Sequence, residues 1–309
     1  MRYTLRQLQA FVAVARGENV TRAAEALSLS QSATSAALAE LENLFGQPLF
    51  DRIGRRLRLN EQGRLLLPHA VELLDRAEEI EALLRGERGL GKLRVGATLT
   101  IGNYLLPLIV AGYLQRHPES GVELRVDNTT TIAGLLLHYE IDLGLLEGEV
   151  EEAELETAHW VDDELVVFCA PAHPLAARGM ANLAELAREP WILRERGSGT
   201  RETLARALSG QLAGGLSVRL ELQHTEAVKR AVESGLGIGC ISRLALRDAF
   251  RRGSLVPIET PELDLRRSFS FVWHRGKYHS AAMRRFIEDC RAFAGGARRS
   301  EEIPLPPVA

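Results

Sequence analysis

Apolar residues recur three and four positions apart through roughly the first 85 residues of this chain, a spacing that predicts amphipathic helices. The first helix is indicated near the N-terminus by Leu5, Leu8, Phe11, Val12 and Ala15. Two shorter helices joined by a tight turn follow within residues 20–44. Beyond residue 91 the pattern changes to short apolar runs that alternate with helical segments. We therefore expect a small helical unit followed by a larger α/β unit.

The two short helices of residues 20–44 present different faces. The first is predicted over 21–27 with Thr21 as its cap, and a short turn follows it. The second begins near Gln31, and its apolar face is centred on Leu38 and Leu41. Its opposite face carries only small or uncharged residues, namely Ser32, Ser35, Ala36, Ala39 and Asn43. Such a helix can enter a DNA major groove, although an ordinary helical hairpin with a solvated face fits this stretch equally well.

A basic stretch follows these helices. Residues 54–59 read Gly-Arg-Arg-Leu-Arg-Leu, which predicts a small β-hairpin, or wing. A wing reaches the phosphate backbone, and arginine suits that contact. Residues 1–60 carry eight arginines against five acidic residues, whereas the whole chain has a net charge of −3. A basic head on an acidic body fits a DNA-binding module attached to a second unit.

Residues 5–63 resemble, without a gap, the winged helix-turn-helix of the LysR-type transcriptional regulators. The matching stretches are LRQLQAFVAVA, TRAAEALSLSQSATSAAL, LFGQPLFDR and GRRLRLNEQG. The resemblance implies a DNA-binding domain over 3–60, with the helix-turn-helix at about 20–39. It assigns DNA contacts to Thr21, Gln31, Ser32, Thr34, Ser35, Arg52, Arg55 and Arg56. Ser32 replaces a common proline and Ala36 a common arginine, so the base-reading surface departs from the family pattern. Thr34 also lies on the core-facing side, where its hydroxyl can bond back to the helix.

A long helix is predicted within the linker segment 61–86, with Asn60 as its cap. Its apolar residues form a coiled-coil seam, and we expect them to bind the same helix of a second subunit. The seam consists of Leu66, Ala70, Leu73, Ala77, Ile80 and Leu84. Packing of this helix on the chain's own C-terminal domain is the alternative. Pro68 should bend or interrupt the first two turns.

The remainder of the chain reads as strands alternating with helices, which predicts a parallel sheet. Strands are expected at 92–96, 122–126, 142–146, 165–169, 191–193, 218–222, 237–241 and 268–273. Helices are expected at 104–116, 132–138, 182–187, 201–208, 226–234 and 279–293. Two such α/β units resemble the periplasmic-binding-protein-like sensor of the same regulator family. The resemblance places 91–163 and 266–295 in subdomain 1 and 164–265 in subdomain 2, and we expect 296–309 to be a disordered tail.

Three polar segments, 96–103, 127–131 and 194–201, lie where a predicted strand ends and a helix begins. Hydroxyls and free N–H groups at helix N-termini favour anions, and ligands of doubly wound sheets bind at the carboxyl ends of strands. These residues could instead be simple helix caps. The segments resemble the LysR branch that includes sensors of sulfur oxyanions, which implies effector contacts from Thr98, Thr100, Asn128, Thr129, Glu147, Ser198, Gly199 and Thr200. Glu147 would repel an anion unless it is protonated or paired, for instance with Arg194 or Arg196.

Several function classes are disfavoured by the sequence. Cys169, Cys240 and Cys290 form no CxxC motif, so neither zinc nor another cofactor is expected, and Cys240 fits a core thiol better than a redox sensor. No P-loop, GxGxxG, HExxH or GxSxG motif argues for an enzyme. No apolar run is long enough to span a bilayer, and the N-terminus does not resemble a signal peptide, which argues against a transporter's solute-binding protein.

The sequence therefore predicts a cytoplasmic DNA-binding regulator that is not an enzyme. Its expected partners are operator DNA, a small anionic effector such as sulfite or sulfate, and further copies of itself in a dimer or tetramer. An organic or aromatic acid is the alternative effector. The resemblance also admits contact with RNA polymerase, and no membrane partner is expected.

Overall fold

The computed structural model of the protein describes residues 2–53, 56–84, 90–211 and 215–305. The head comprises the helices α1 (Leu5–Gly17), α2 (Val20–Ala26) and α3 (Gln31–Phe45), followed by a two-stranded antiparallel hairpin of β1 (Phe50–Ile53) and β2 (Arg56–Leu59). Its core is formed by the apolar positions whose spacing predicted the helices, including Leu8, Phe11, Ala23, Leu38 and Leu41. The expected three-helix core with a β-wing is therefore present.

Side chains that accept free N–H groups fix the start of each head helix. Asn19 Oδ1 accepts from the Thr21 N–H at 2.8 Å, so α2 begins at Val20 and the predicted cap at Thr21 is wrong. Asparagine one position before the helix satisfies the orphan donors that Thr21 was expected to bind. Ser30 caps α3 by accepting from the Ala33 N–H at 3.1 Å.

The long helix α4 (Glu61–Leu84) starts where the sequence predicted, with Asn60 Oδ1 accepting from the Gly63 N–H at 2.9 Å. It continues through Pro68, so the interruption considered at that proline does not occur. Leu67, Ala70 and Val71 are buried in the head's core, and this packing holds the turns around the proline in place. Residues 85–89 of the linker segment lie outside the described residues.

The C-terminal unit contains one continuous sheet, with strand order β4-β3-β5-β11-β6-β9-β7-β8 and β10 paired to β6. Its strands are β3 (Lys92–Ala97), β4 (Gly121–Val126), β5 (Leu143–Glu147), β6 (Leu155–Cys169), β7 (Pro190–Arg194), β8 (Ser217–Leu222), β9 (Ile238–Ser242), β10 (Val256–Ile258) and β11 (Arg266–His274). Its helices are α5 (Leu99–Tyr104), α6 (Leu106–Arg116), α7 (Thr129–Leu137), α8 (Leu183–Leu186), α9 (Gly199–Leu208), α10 (Thr225–Glu233), α11 (Arg243–Arg252) and α12 (Ala281–Ala294).

Two parallel strand sets form the two subdomains of this unit. β3 pairs in parallel with β4 and β5 in the first, and β7 pairs in parallel with β8 and β9 in the second. The long strands β6 and β11 pair antiparallel with each other and carry the chain between the two sets. The sequence predicted only the end of β6, because its first residues, 155–164, alternate with charged side chains. It also missed α11 and β10.

Residues 296–305 of the tail do not agree with the expected disorder, and residues 306–309 lie outside the described residues. Residues Ser300–Glu302 form a 3₁₀ turn, and Ile303 is fully buried against the first subdomain's core. The Asp162 N–H donates to the Arg298 carbonyl at 2.9 Å. The buried side chains of Ile303 and Ser300 thus order a segment whose composition predicts disorder. None of the helices in the described ranges combines the length and apolarity needed to span a membrane.

Candidate functional site

The outer face of α3 is open to solvent. Gln31, Ser32 and Ser35 are exposed there, as expected for a helix that contacts a groove, and Thr21 is exposed on α2. Thr34 is fully buried, and its Oγ1 donates to the Ser30 carbonyl at 3.2 Å. The assignment of Thr34 to DNA contact is therefore wrong, because a buried hydroxyl that bonds back to its own helix cannot reach a base.

The wing presents basic side chains to solvent. Arg52 on β1 and Arg58 on β2 are exposed. Arg55 and the side chain of Arg56, both predicted phosphate contacts, lie outside the described residues. The described part of the wing thus carries exposed arginines, which are the side chains that phosphate contact requires.

The three polar segments of the C-terminal unit meet at the carboxyl ends of β3, β4 and β7, which we call the polar cleft. Five predicted effector residues are buried there: Thr98, Thr100, Glu147, Ser198 and Thr200. Hydrogen bonds join the subdomains across the cleft, because the Gly199 N–H donates to Thr129 Oγ1 at 3.0 Å and the Thr130 N–H donates to the Gly197 carbonyl at 3.2 Å. The cleft is therefore closed in this structure.

Gly199 permits this closure. A Cβ atom at this position would lie 2.2 Å from the Glu147 carbonyl oxygen and 2.9 Å from Thr129 Oγ1. Any other residue would hold the start of α9 away from β5 and α7. Gly199 thus acts through close backbone approach rather than through a side-chain contact.

The helix-cap alternative holds for one predicted residue. Asn128 Oδ1 accepts from the Thr131 N–H at 3.0 Å, so this side chain is used as the cap of α7. Thr98 and Ser198 occupy the equivalent positions of α5 and α9 but make no side-chain cap bond. Their hydroxyls are therefore not committed to capping their own helices.

Glu147 is the last residue of β5, and its carboxylate lies against the start of α5. Its Oε1 accepts from the Thr100 N–H at 2.6 Å and from the Ile101 N–H at 3.4 Å, and its Oε2 lies 2.8 Å from Arg267 Nη2. Burial alone would raise the pKa of Glu147, but the Arg267 guanidinium, with help from Thr100 and Thr98, outweighs it and holds that pKa below its ordinary value. The paired, ionised state considered for Glu147 is thus present, with a partner that the sequence did not indicate.

Arg267 is the charged centre that sequence reasoning missed. Its side chain is fully buried, its Nε donates to Asp163 Oδ2 at 2.7 Å, and its Nη1 donates to Thr200 Oγ1 at 3.1 Å. Neither expected partner is in contact with Glu147, since Arg194 makes a bidentate pair with Glu195 and acts on Glu147 only through its charge, and Arg196 is exposed. The only sign of Arg267 in the sequence was its place in the pair Arg266-Arg267 at the start of an apolar strand.

The carboxyl end of β8 also reaches this region. Thr225, at the start of α10, is buried and accepts from Arg194 Nη1 at 3.4 Å. Tyr104 at the end of α5 donates to Glu226, and Lys229 Nζ lies 2.7 Å from the same carboxylate. These contacts form a second link between the subdomains.

The predicted seam of α4 divides into covered and open positions. Ala70 is only 1% exposed because the head's own core covers it, so its assignment to a subunit contact is wrong. Leu73, Ile80 and Leu84 are 36%, 58% and 82% exposed. Leu66 and Ala77 are half-buried.

The acidic face of α4 contacts the chain's own sensor, as the alternative for this helix proposed. Lys277 Nζ lies 2.5 Å from Asp75 Oδ2 and 2.8 Å from Asp142 Oδ1, and Arg94 Nη2 lies 2.6 Å from the same Asp142 oxygen. Glu79 Oε1 accepts from the Ala281 N–H at 3.2 Å. We call this set of contacts the linker dock.

The described residues contain no group of His, Cys, Asp and Glu side chains that could hold a metal ion. The three cysteines are buried and unpaired. Burial raises the pKa of Cys169 to about 11 and that of Cys240 to about 12, so both thiols are protonated near neutral pH.

Comparison with known proteins agrees with this architecture. Residues 5–64 match the family model described as "Bacterial regulatory helix-turn-helix protein, lysR family", and residues 86–295 match the "LysR substrate binding domain". The chain is 45% identical over 290 residues to the uncharacterized HTH-type transcriptional regulator YeiE of Escherichia coli, covering 94% of this chain and 98% of that protein.

Two solved structures show the same fold. A full-length OxyR variant from Pseudomonas aeruginosa superposes with a TM-score of 0.72 at 22% identity, over 94% of this chain and 95% of that chain. The CcmR regulatory domain of Synechocystis PCC6803, in complex with 2-PG, superposes with a TM-score of 0.62 at 29% identity, over 67% of this chain and 99% of that chain. Both family models and the relative describe regulators rather than enzymes, and the chain belongs to the LysR family of DNA-binding transcriptional regulators with an effector-binding domain.

Proposed function

We propose that this protein is a cytoplasmic regulator that binds operator DNA as a dimer or tetramer and responds to a small anion held in the polar cleft. Sulfite and sulfate are the anions that we favour. Gln31, Ser32 and Ser35 would lie near base edges, and Arg52, with Arg55 and Arg56, near phosphates. Contact with RNA polymerase remains part of the same proposal.

The observation that carries the effector assignment is the burial of hydroxyls from both subdomains around the cleft. Thr200 Oγ1 accepts from Arg267 and Thr129 Oγ1 accepts from Gly199, so each keeps its own O–H proton to donate. Neutral donors of this kind suit a small oxyanion. A ligand that they hold would bridge the subdomains and bind the closed arrangement better than the open one, which is the differential that can shift a regulator between states.

The close approach of Gly199 to Glu147 also supports a small ligand, because it leaves the subdomains in backbone contact at this end of the cleft. The CcmR domain in complex with 2-PG supports a small-molecule effector for a sensor of this kind. An organic or aromatic acid is therefore the alternative that the experiment must include.

Calorimetry on the full chain with sulfite, sulfate, 2-PG and benzoate tests the proposal. We expect heat from the inorganic oxyanions, and Thr200→Ala should weaken their binding by about 1–3 kcal/mol through loss of a charge-assisted hydrogen bond. Thr157→Ala, at an exposed threonine of β6, is the matched control. Binding of 2-PG or benzoate, with no heat from sulfite or sulfate, would contradict the assignment of an inorganic oxyanion as effector.

A further inference from the structure

The ion pair at the centre of the polar cleft is in contact but is not aligned as a hydrogen bond. Arg267 Nη2 lies 2.8 Å from Glu147 Oε2, yet it has no hydrogen-bond partner among the described residues. The other two nitrogens of this guanidinium have partners, because Nε donates to Asp163 and Nη1 donates to Thr200. A buried donor left unsatisfied at a ligand cleft marks a place where a ligand atom can bind.

A carboxylate acceptor stands directly beside that free donor. Glu147 Oε2 has two lone pairs, and an ion contact of this geometry leaves it able to accept a hydrogen bond. Oε1 is held by the N–H groups of Thr100 and Ile101, so the carboxylate cannot turn away from the cleft without losing them. One donor and one acceptor therefore lie side by side, 2.8 Å apart.

The charges around Glu147 keep it ionised, and its two arginines are outnumbered by three carboxylates, counting Glu147 itself. Arg267 on β11 and Arg194 on β7 are the cations that act on it, and Asp163 on β6 and Glu195 pair with these two arginines. No net positive charge is left over to attract a dianion. Selection must then come from hydrogen-bond pattern rather than from total charge.

We infer that Glu147 and Arg267 together select oxyanions that carry a proton, with the ligand O–H donating to Glu147 and a second ligand oxygen accepting from Arg267. This inference rests on the proposed function and narrows it. Hydrogensulfite and hydrogenphosphate present such an O–H beside an acceptor oxygen. Sulfate is fully ionised near neutral pH, so one of its oxygens would face the Glu147 carboxylate with no proton between them.

The expected preference for proton-bearing oxyanions over sulfate follows from the cost of placing a sulfate oxygen against the Glu147 carboxylate with no hydrogen bond between them. A site built to accept a hydrogen bond rejects an otherwise similar ligand without the donor by about a hundredfold or more. Glu147→Gln removes the requirement, because an amide can donate its own N–H to a sulfate oxygen. Sulfate and hydrogenphosphate form the informative pair, since both are tetrahedral and differ in the proton.

Calorimetry on the full chain with sulfate, hydrogenphosphate and sulfite, over pH 6 to 9, tests the inference. Wild type should bind at least one proton-bearing ion about a hundredfold more tightly than sulfate. Sulfite affinity should fall about tenfold per pH unit once the ligand loses its proton. Glu147→Gln should bring the ratio of the two affinities, for the proton-bearing ion and for sulfate, near one. Glu149 is an exposed carboxylate, and Glu149→Gln should leave that ratio unchanged.

The outcomes separate this inference from the proposal beneath it. Tight, pH-independent sulfate binding by wild type, or a preserved ratio in a folded Glu147→Gln variant, would overturn the inference and leave an oxyanion sensor intact. Absence of heat from all three ions would overturn both. The wild-type pH series decides the matter even if Glu147→Gln fails to fold.

Discussion

At the scale of single residues, the head separates exposed groups, for which we propose DNA contact, from buried groups that hold the helix in place. Ser35 is exposed on the outer face of α3 and Arg52 is exposed on the wing, whereas Thr34, one residue before Ser35, is fully buried. Adjacent positions thus differ fully in exposure, because a helix turns by about a hundred degrees per residue. Base contact and phosphate contact should respond differently to substitution.

Substitutions at Ser35 and Arg52 should separate these two contributions. Arg52→Ala should weaken binding to operator and random DNA alike and reduce the salt dependence by about one unit. Ser35→Ala should instead change the ratio between operator and random DNA. Fluorescence anisotropy over a salt series measures both, with Arg178→Ala, an exposed arginine of the sensor, as the control. Equal effects of Ser35→Ala on both DNAs would exclude Ser35 as a base-reading residue.

Residue identity predicted the places of the cleft residues but not their partners. Strand ends followed by Thr98, Asn128 and Ser198 could be recognised because hydroxyls and amides at helix starts are a local signal. The partner of Glu147 could not be recognised, since Arg267 lies 120 residues away and is brought in by an antiparallel strand that follows the second subdomain. Contacts of that kind depend on sheet order, which no local pattern carries.

At the scale of elements, α4 is held on one side by its own chain and is open on another. Its Ala70 side packs into the head and its Asp75 side packs on the sensor, while Leu73, Ile80 and Leu84 remain exposed. Seven- and four-residue steps place these three on one stripe. The periodicity put these three on one face of the helix and also assigned Ala70 to that face, because spacing alone cannot tell which neighbour covers a position first.

The open stripe of α4 should join two subunits. Replacement of Leu73 and Ile80 by lysine should reduce dimers and weaken operator binding by at least tenfold, because two heads would no longer be held on one dyad-symmetric site. Ultracentrifugation and operator titration measure the two effects. Ala153→Lys with Ala177→Lys adds the same charge at exposed sensor positions and serves as control. Normal operator affinity in a monomeric variant would contradict the role of this stripe.

At the scale of the whole molecule, β11 connects the polar cleft to the linker dock. Arg267 lies near the start of β11 in the cleft, and Lys277 lies three residues beyond its end, against Asp75 of α4. The fold class and the order of its units followed from the alternation of strands and helices. The dock did not, because it joins side chains 202 residues apart whose charges look solvated in sequence. A rearrangement of the cleft that moves β11 would bias the position of α4, and with it the head.

Removal of Lys277 should therefore uncouple effector from DNA. Lys277→Met leaves the half-buried Asp75 carboxylate without its cation, while Asp142 keeps Arg94, and the dock should open because an uncompensated charge in a partly buried contact is costly. We expect effector binding by calorimetry to stay within about twofold of wild type, because the cleft lies at the other end of β11, while the effector-induced change in operator affinity is lost. Arg275→Met removes one charge from the same turn, but that side chain is 66% exposed, so the response should persist. A full effector response in Lys277→Met would show that the signal reaches the head by another route, such as the subunit contact along α4.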